Sequence, residues 1–112
     1  MPIGTAFHTR TSALCLSQSW RNWSGYFVAS SYDVLHDQEY HAIRNAAALI
    51  DISPLYKYEV RGKDALRLVD RVATRNAAQC AVGQVLYTCL CDGDGKVIQD
   101  GTVFRLAEDC FR

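Results

Sequence analysis

The sequence predicts an α+β fold with a mostly antiparallel sheet and two helices. Apolar residues recur at helical spacing after Asp37 and again after Asp64. Two β-rich runs, residues 82–91 and 96–106, flank the turn sequence Asp-Gly-Asp-Gly at residues 92–95, which is typical of a β-hairpin. The order helix, strand, helix, strand, strand therefore indicates the α+β class.

Residues 5–35 are aromatic and irregular, and no element is predicted there. The first helix begins at Asp37, which can cap it. Its apolar face consists of Tyr40, Ile43, Ala46, Ala47 and Ile50. Because Pro54 disfavours helical geometry at the preceding residue, the helix ends ahead of Ser53.

A strand and the second helix follow. Residues 56–61 alternate in the manner of a half-buried strand, which Gly62 ends. Asp64 opens the second helix, which gives way near residues 74–76. The apolar side of this helix holds Ala65, Leu66, Leu68, Val69 and Val72. After the hairpin, residues 109–112 add no closing element, so its second strand has no further partner.

Length, composition and charge limit the possible functions. The chain has 112 residues, of which 49% are hydrophobic and 21% charged, so we expect one globular domain rather than a disordered chain. Twelve basic and twelve acidic residues cancel, so no strong field attracts nucleic acid or an anionic membrane. No apolar run approaches the roughly 20 residues of a membrane-spanning helix.

The cysteines and histidines predict no disulfide framework and no metal site. Five cysteines are an odd number, none forms a Cys-x-x-Cys pair, and no secretory signal is visible, so we expect a reducing, cytoplasmic location. Cys89 and Cys91 lie two apart and share one face of a strand, where we expect small buried hydrophobic residues. The three histidines match no metal-ligand spacing.

Asp100 is the carboxylate of greatest interest, because it lies inside the second β-rich run. Strand interiors are depleted in Asp, whose side chain competes for backbone hydrogen bonds. If Ile98 points inward, alternation places Asp100, Thr102 and Phe104 inward as well. An inward carboxylate is costly unless a partner satisfies it. A functional carboxylate and an Asp at a bulge made by Gly101 explain this pattern equally well.

Three sequence blocks occur in one order along the chain. The first is Glu39-Tyr40-His41-Ala42-Ile43-Arg44 followed by residues 47–53, and the second is Val60-x-Gly62-x-Asp64-Ala65. The third joins Tyr87-Thr88-x-Leu90, Asp94-Gly95, Val97-Ile98, Asp100 and Val103-Phe104-Arg105. From about residue 25 to residue 112, the series resembles the N-terminal portion of the glycine-cleavage T-protein family, the tetrahydrofolate-dependent aminomethyltransferases and their demethylase relatives.

The resemblance implies a fold, a cofactor and a set of site residues. Residues 1–112 are expected to form a single partial domain, the N-terminal part of the aminomethyltransferase folate-binding fold. Asp100 matches the family's catalytic carboxylate, and Tyr87, Phe104 and Leu55 match residues that line the folate channel, with core packing as the competing explanation. The implied function is transfer of a methyl or aminomethyl unit from a small-molecule donor to tetrahydrofolate, with a lipoyl carrier protein as a candidate partner.

Two departures from the family pattern suggest a different donor from that of glycine cleavage. Ser53-Pro54-Leu55 replaces the common Ser-His-Met, and Gln99 replaces the first Asp of a pair. Two other hypotheses stay open at this point. One is a non-catalytic folate-binding module of the iron–sulfur-assembly branch, and the other is an inactive fragment that oligomerises through an exposed sheet edge.

Overall fold

The computed structural model describes residues 1–112, which form two compact units, Met1–Tyr56 and Lys57–Arg112. Each unit has its own sheet, and all paired strands are antiparallel. This arrangement confirms the predicted α+β class. Both predicted helices are present, and no helix is long and apolar enough to cross a membrane.

The N-terminal unit contains a hairpin that was not predicted. Helix α1 is a single turn over His8–Thr11, and strand β1 (Trp20–Trp23) pairs with β2 (Tyr26–Ala29). The linking residues Ser24 and Gly25 have φ values of 48° and 85°. Two consecutive positive φ values are typical of a type I′ turn, which matches the twist of a two-residue hairpin.

Helix α2 is shorter than predicted. It spans Asp37–Asn45 and ends where Ala46 adopts φ −141° and ψ −113°. The predicted apolar position Ile50 is exposed beyond the helix, so no packing stabilises a further turn. The predicted cap is also wrong, since Asp37 is the first helical residue and no side chain caps the helix.

The C-terminal unit is built on a four-stranded sheet in the order β3-β6-β5-β4. Its strands are β3 (Val60–Arg61), β4 (Val85–Cys91), β5 (Val97–Ala107) and β6 (Cys110–Phe111). The hairpin predicted around the Asp-Gly-Asp-Gly turn is confirmed as β4 and β5. Of the strand predicted over residues 56–61, only the last two residues pair in the sheet.

Strand β6 corrects the prediction that residues 109–112 add no element. It pairs with β5 on one side and with β3 on the other. Phe111 is 1% exposed and packs with Ala65 and Val69 of helix α3 (Ala65–Val72) and with Val103 of β5. The core of the unit therefore lies between α3 and one face of the sheet.

Arg105 ties this core to the surrounding loops. Its Nη1 donates to the carbonyl of Cys80 at 2.9 Å, and its Nη2 donates to the carboxylate of Glu108 at 2.7 Å. The guanidinium carbon lies 5.4 Å from the centre of the Phe111 ring, within cation–π range. Arg105 therefore covers one face of the buried Phe111 ring while its own hydrogen bonds reach the loops.

Candidate functional site

The β4–β5 hairpin has two unlike faces, which we call the packed face and the open face. Residues directly opposite each other in an antiparallel pair share a face. The packed face carries the pairs Leu86–Val103 and Thr88–Gly101, and it meets the core. The open face carries Val85, Tyr87 and Cys89 of β4 and Ile98, Asp100, Thr102 and Phe104 of β5.

Asp100 lies on the open face, so the expectation that it points inward is wrong. Ile98 and Phe104, which share its face, are 67% and 40% exposed. Helix α3 and the Phe111 side chain pack instead on the side of Val103. Both faces of β5 carry apolar residues, and alternation in the sequence separates such faces without showing which one is buried.

The bulge proposed at Gly101 is also absent. Gly101 pairs in regular register with Thr88, and the register shift of the hairpin lies between Leu90 and Cys91, near the turn. Asp100 pairs directly with Cys89. The position of Asp100 within a regular ladder therefore needs an explanation other than a local backbone irregularity.

A hydrogen bond joins Tyr87 to Asp100 across the open face. The Tyr87 hydroxyl donates to Oδ2 of Asp100. The two residues are diagonal neighbours, because Tyr87 pairs with Thr102 and Asp100 with Cys89, and an aromatic side chain spans such a diagonal. The hydrogen bond to Asp100, followed by the effect of its negative charge, raises the pKa of Tyr87 above its ordinary value of 10.0.

The open face combines one carboxylate with apolar and aromatic surface. Asp100 is its single carboxylate, and no Lys or Arg lies on this face of either strand. Val85 and Phe104 pair directly and are both exposed. Such a surface can bind a flat or aliphatic ligand and can offer it one strong hydrogen-bond or proton acceptor.

Three of the four predicted site residues lie together on this face: Asp100, Tyr87 and Phe104. Leu55 belongs to the N-terminal unit, where its N–H donates to the carbonyl of Ile52 at 3.0 Å beside the buried Pro54. Its side chain is exposed. The catalytic and folate-binding roles of all four residues stay predictions.

Residues after α3 form hydrogen bonds with the outer edge of β4. The sequence patterns did not predict these contacts. The N–H of Thr74 donates to the carbonyl of Cys89 at 3.1 Å, and Arg75 Nη1 donates to the carbonyl of Tyr87 at 3.4 Å. Thr88, 3% exposed, accepts the N–H of Arg75 and contacts the Thr74 hydroxyl at 3.2 Å. These contacts fix the strand that carries Tyr87. They also occupy carbonyls that edge-to-edge pairing needs.

The cysteines and other metal-ligating side chains form no further site. All five cysteines are free thiols. Cys89 and Cys91 are half-buried, which corrects the expectation that they are buried hydrophobic residues. No three His, Cys, Asp or Glu side chains converge as metal ligands.

Residues 6–112 match the family of the GCVT N-terminal domain. The chain belongs to this family. The resemblance noted in the three sequence blocks is thereby confirmed. Within this GCVT domain, the third block lies on the β4–β5 hairpin and includes residues of both its faces.

Named relatives share one part of their length with this GCVT domain. Trimethylamine-oxide aldolase of Ruegeria pomeroyi is 37% identical over 109 residues, which are 96% of this chain and 14% of the relative. The heme-dependent oxidative N-demethylase gamma subunit of Ectopseudomonas mendocina is 34% identical over 102 residues, 91% of this chain and 27% of the relative. An aminomethyltransferase of Symbiobacterium thermophilum is 44% identical over 71 residues, 63% of this chain and 19% of the relative. The chain thus spans 14–27% of the length of these curated relatives.

A solved structure shares the fold. The crystal structure of the glycine cleavage system aminomethyltransferase T from Bartonella henselae aligns with a TM-score of 0.74 at 14% identity. The alignment covers 99% of this chain and 30% of that chain. The architecture is therefore that of part of a T-protein.

Proposed function

We propose that this GCVT domain is the N-terminal, folate-facing part of a tetrahydrofolate-dependent one-carbon transferase. The observation that carries the proposal is a single carboxylate, Asp100, on an exposed apolar and aromatic strand face. Relatives named aminomethyltransferase and N-demethylase support transfer of a methyl or aminomethyl unit as the reaction class. In this proposal, residues 1–112 are a single partial domain of a larger folate-binding fold.

The side chains of the open face fit a flat heteroaromatic cofactor with N–H groups. Phe104 and Tyr87 offer aromatic surface, and Asp100 offers an acceptor for N–H donors. Leu55 is the fourth proposed folate-binding residue. When bound, tetrahydrofolate supplies the nitrogen that receives the one-carbon unit.

Asp100 is the proposed catalytic residue. A carboxylate beside the reacting nitrogen can orient it by accepting a hydrogen bond, and it can hold a proton while the carbon moves. No cation on the open face neutralises Asp100, so its charge is available to a positively charged nitrogen in the substrate complex. Ile98 and Phe104 flank Asp100 along the same face of β5 and add apolar surface around it.

The proposed donor is a small molecule that carries a transferable methyl or aminomethyl group. The departures at Gln99 and at Ser53-Pro54-Leu55 favour a donor other than that of glycine cleavage. Methylated amines, sulfonium compounds and methoxylated aromatics are the donor classes to test. A lipoyl carrier protein stays the candidate macromolecular partner.

Turnover and folate affinity of the complete protein test this function. We expect Asp100→Asn to lower turnover by about 10²–10⁴-fold, the usual contribution of a general acid–base group, while calorimetric affinity for tetrahydrofolate changes little. Asp94→Asn is the matched control, because Asp94 lies in the exposed turn with its Oδ2 3.7 Å from Lys96 Nζ. Unchanged turnover in Asp100→Asn contradicts the catalytic assignment. Folate binding without transfer from any donor class favours the non-catalytic binding module.

A further inference from the structure

The two oxygens of Asp100 have different surroundings. Oδ2 accepts the hydroxyl of Tyr87. Oδ1 accepts no hydrogen bond from any group of the chain. An exposed Asp side chain otherwise rotates among several rotamers, and each rotamer presents its oxygens differently. The hydrogen bond therefore makes the two oxygens unequal and selects one orientation.

We propose that Tyr87 is the positioning residue of Asp100, whose Oδ2 it holds so that Oδ1 is left for the substrate. The proposal rests on the proposed function of Asp100. It gives the Tyr87 hydroxyl a task of its own, distinct from the contact that the ring makes as part of an apolar wall. Catalytic groups need such support, since small errors in the placement of a reacting group are costly in rate.

Tyr87 is itself well anchored for this task. Arg75 donates to the carbonyl of Tyr87, and Thr74 donates to the carbonyl of Cys89, so the backbone of β4 is held on both sides of Thr88. The buried Thr88 hydroxyl links the same two residues to the packed face. The Tyr87 hydroxyl therefore extends from a fixed strand. Its hydrogen bond restricts the rotation of the exposed Asp100 carboxylate.

No other side chain on the open face takes this role. Thr102 lies opposite Tyr87, and its hydroxyl makes no hydrogen bond to Asp100. Cys89 lies opposite Asp100, and a thiol is a weak donor.

Titration of the Tyr87 phenol tests the pair without any need for turnover. In the complete protein with ¹³C-labelled tyrosine rings, we expect the NMR titration of Tyr87 to lie above the ordinary value of 10.0. In Asp100→Asn the midpoint should move down toward that value. A midpoint that Asp100→Asn leaves unchanged overturns the proposal, and it does so whether or not the protein transfers one-carbon units.

Kinetics of Tyr87→Phe separate positioning from plain contact. Tyr87 is 57% exposed, and Phe keeps its ring, so the fold is preserved. We expect kcat to fall about tenfold, as for one lost hydrogen bond, and KM for folate to stay within about twofold. Tyr40→Phe is the matched control, since the Tyr40 hydroxyl makes no hydrogen bond and the residue lies in the N-terminal unit. A raised KM with unchanged kcat overturns the proposal in favour of a simple wall contact.

Discussion

The packed and open faces of the β4–β5 hairpin share one backbone but differ in the burial and the chemistry of their side chains. The packed face holds Leu86 and Thr88 against the core, whereas the open face leaves Tyr87 and Phe104 exposed beside Asp100. Exposed apolar surface around a polar group is typical of a binding site rather than of a solvated strand. The contrast indicates that one side of the strands maintains the fold and the other is available for chemistry.

Matched phenylalanine substitutions test this division most severely. Phe111→Ala opens a cavity in the core and removes the ring beneath Arg105, so we expect a loss of about 3–5 kcal/mol in the free energy of unfolding. Phe104→Ala removes the same atoms from the open face and should cost less than about 1 kcal/mol. Urea unfolding followed by circular dichroism measures both. Equal losses would contradict the assignment of the two faces.

Matched threonine substitutions test the same division at the level of one hydroxyl. Thr88→Val removes a buried hydroxyl that bonds to Arg75 and Thr74, and it should cost about 1–3 kcal/mol by leaving partners unsatisfied. Thr102→Val lies opposite Tyr87 on the open face and should change stability by less than about 0.5 kcal/mol. The same unfolding measurement applies. If Thr102→Val lowered the free energy of unfolding as much as Thr88→Val, the open face would contribute to stability as the packed face does, contrary to this assignment.

The smallest expected effect is the pH dependence of the Tyr87–Asp100 bond. Because the folded-state pKa of Tyr87 is raised, the bond contributes fully below the ordinary phenol pKa and is lost as pH rises through the raised value. The stability difference between the wild type and Tyr87→Phe should therefore shrink between about pH 8 and about pH 11.5. Thermal unfolding of both proteins at the two pH values measures it. If the stability difference between the wild type and Tyr87→Phe grew with pH, the hydrogen bond from Tyr87 to Asp100 would not be its source.

Local patterns were sufficient to predict the C-terminal unit in outline. The turn at residues 92–95 separates two long β-rich runs, so the hairpin is confirmed. The predicted apolar side of helix α3 packs in part, since Ala65 and Val69 are buried whereas Leu68 and Val72 are exposed. These elements form where propensity, periodicity and burial agree.

Elements that depend on distant partners were missed. Strand β6 is two residues long and owes its position to β3 and β5. The hairpin at Ser24 and Gly25 had a local signal, a Ser-Gly turn between aromatic runs, which the irregular surroundings concealed. Helix α2 stops early because nothing packs on its predicted last turns.

The sequence predicted four candidate site residues, whose roles stay predictions, and it predicted the wrong side of the strand for Asp100. The family blocks pointed to Asp100, Tyr87 and Phe104, which the structure places on one face. Alternation then assigned that face to the interior, because Val103 and Phe104 are apolar neighbours and either can face the core. The hydrogen bond from Tyr87 to Asp100 depends on strand register, which one-dimensional patterns do not contain.

Cysteine footprinting tests most directly whether the open face is the binding face. Cys89 is half-buried and pairs with Asp100, whereas Cys110 of β6 is buried. Alkylation by iodoacetamide is followed by peptide mass spectrometry in the complete protein, with and without saturating tetrahydrofolate. We predict that bound tetrahydrofolate slows labelling of Cys89 several-fold and leaves Cys110 unlabelled throughout. Calorimetric binding of tetrahydrofolate with no change at Cys89 would contradict the account.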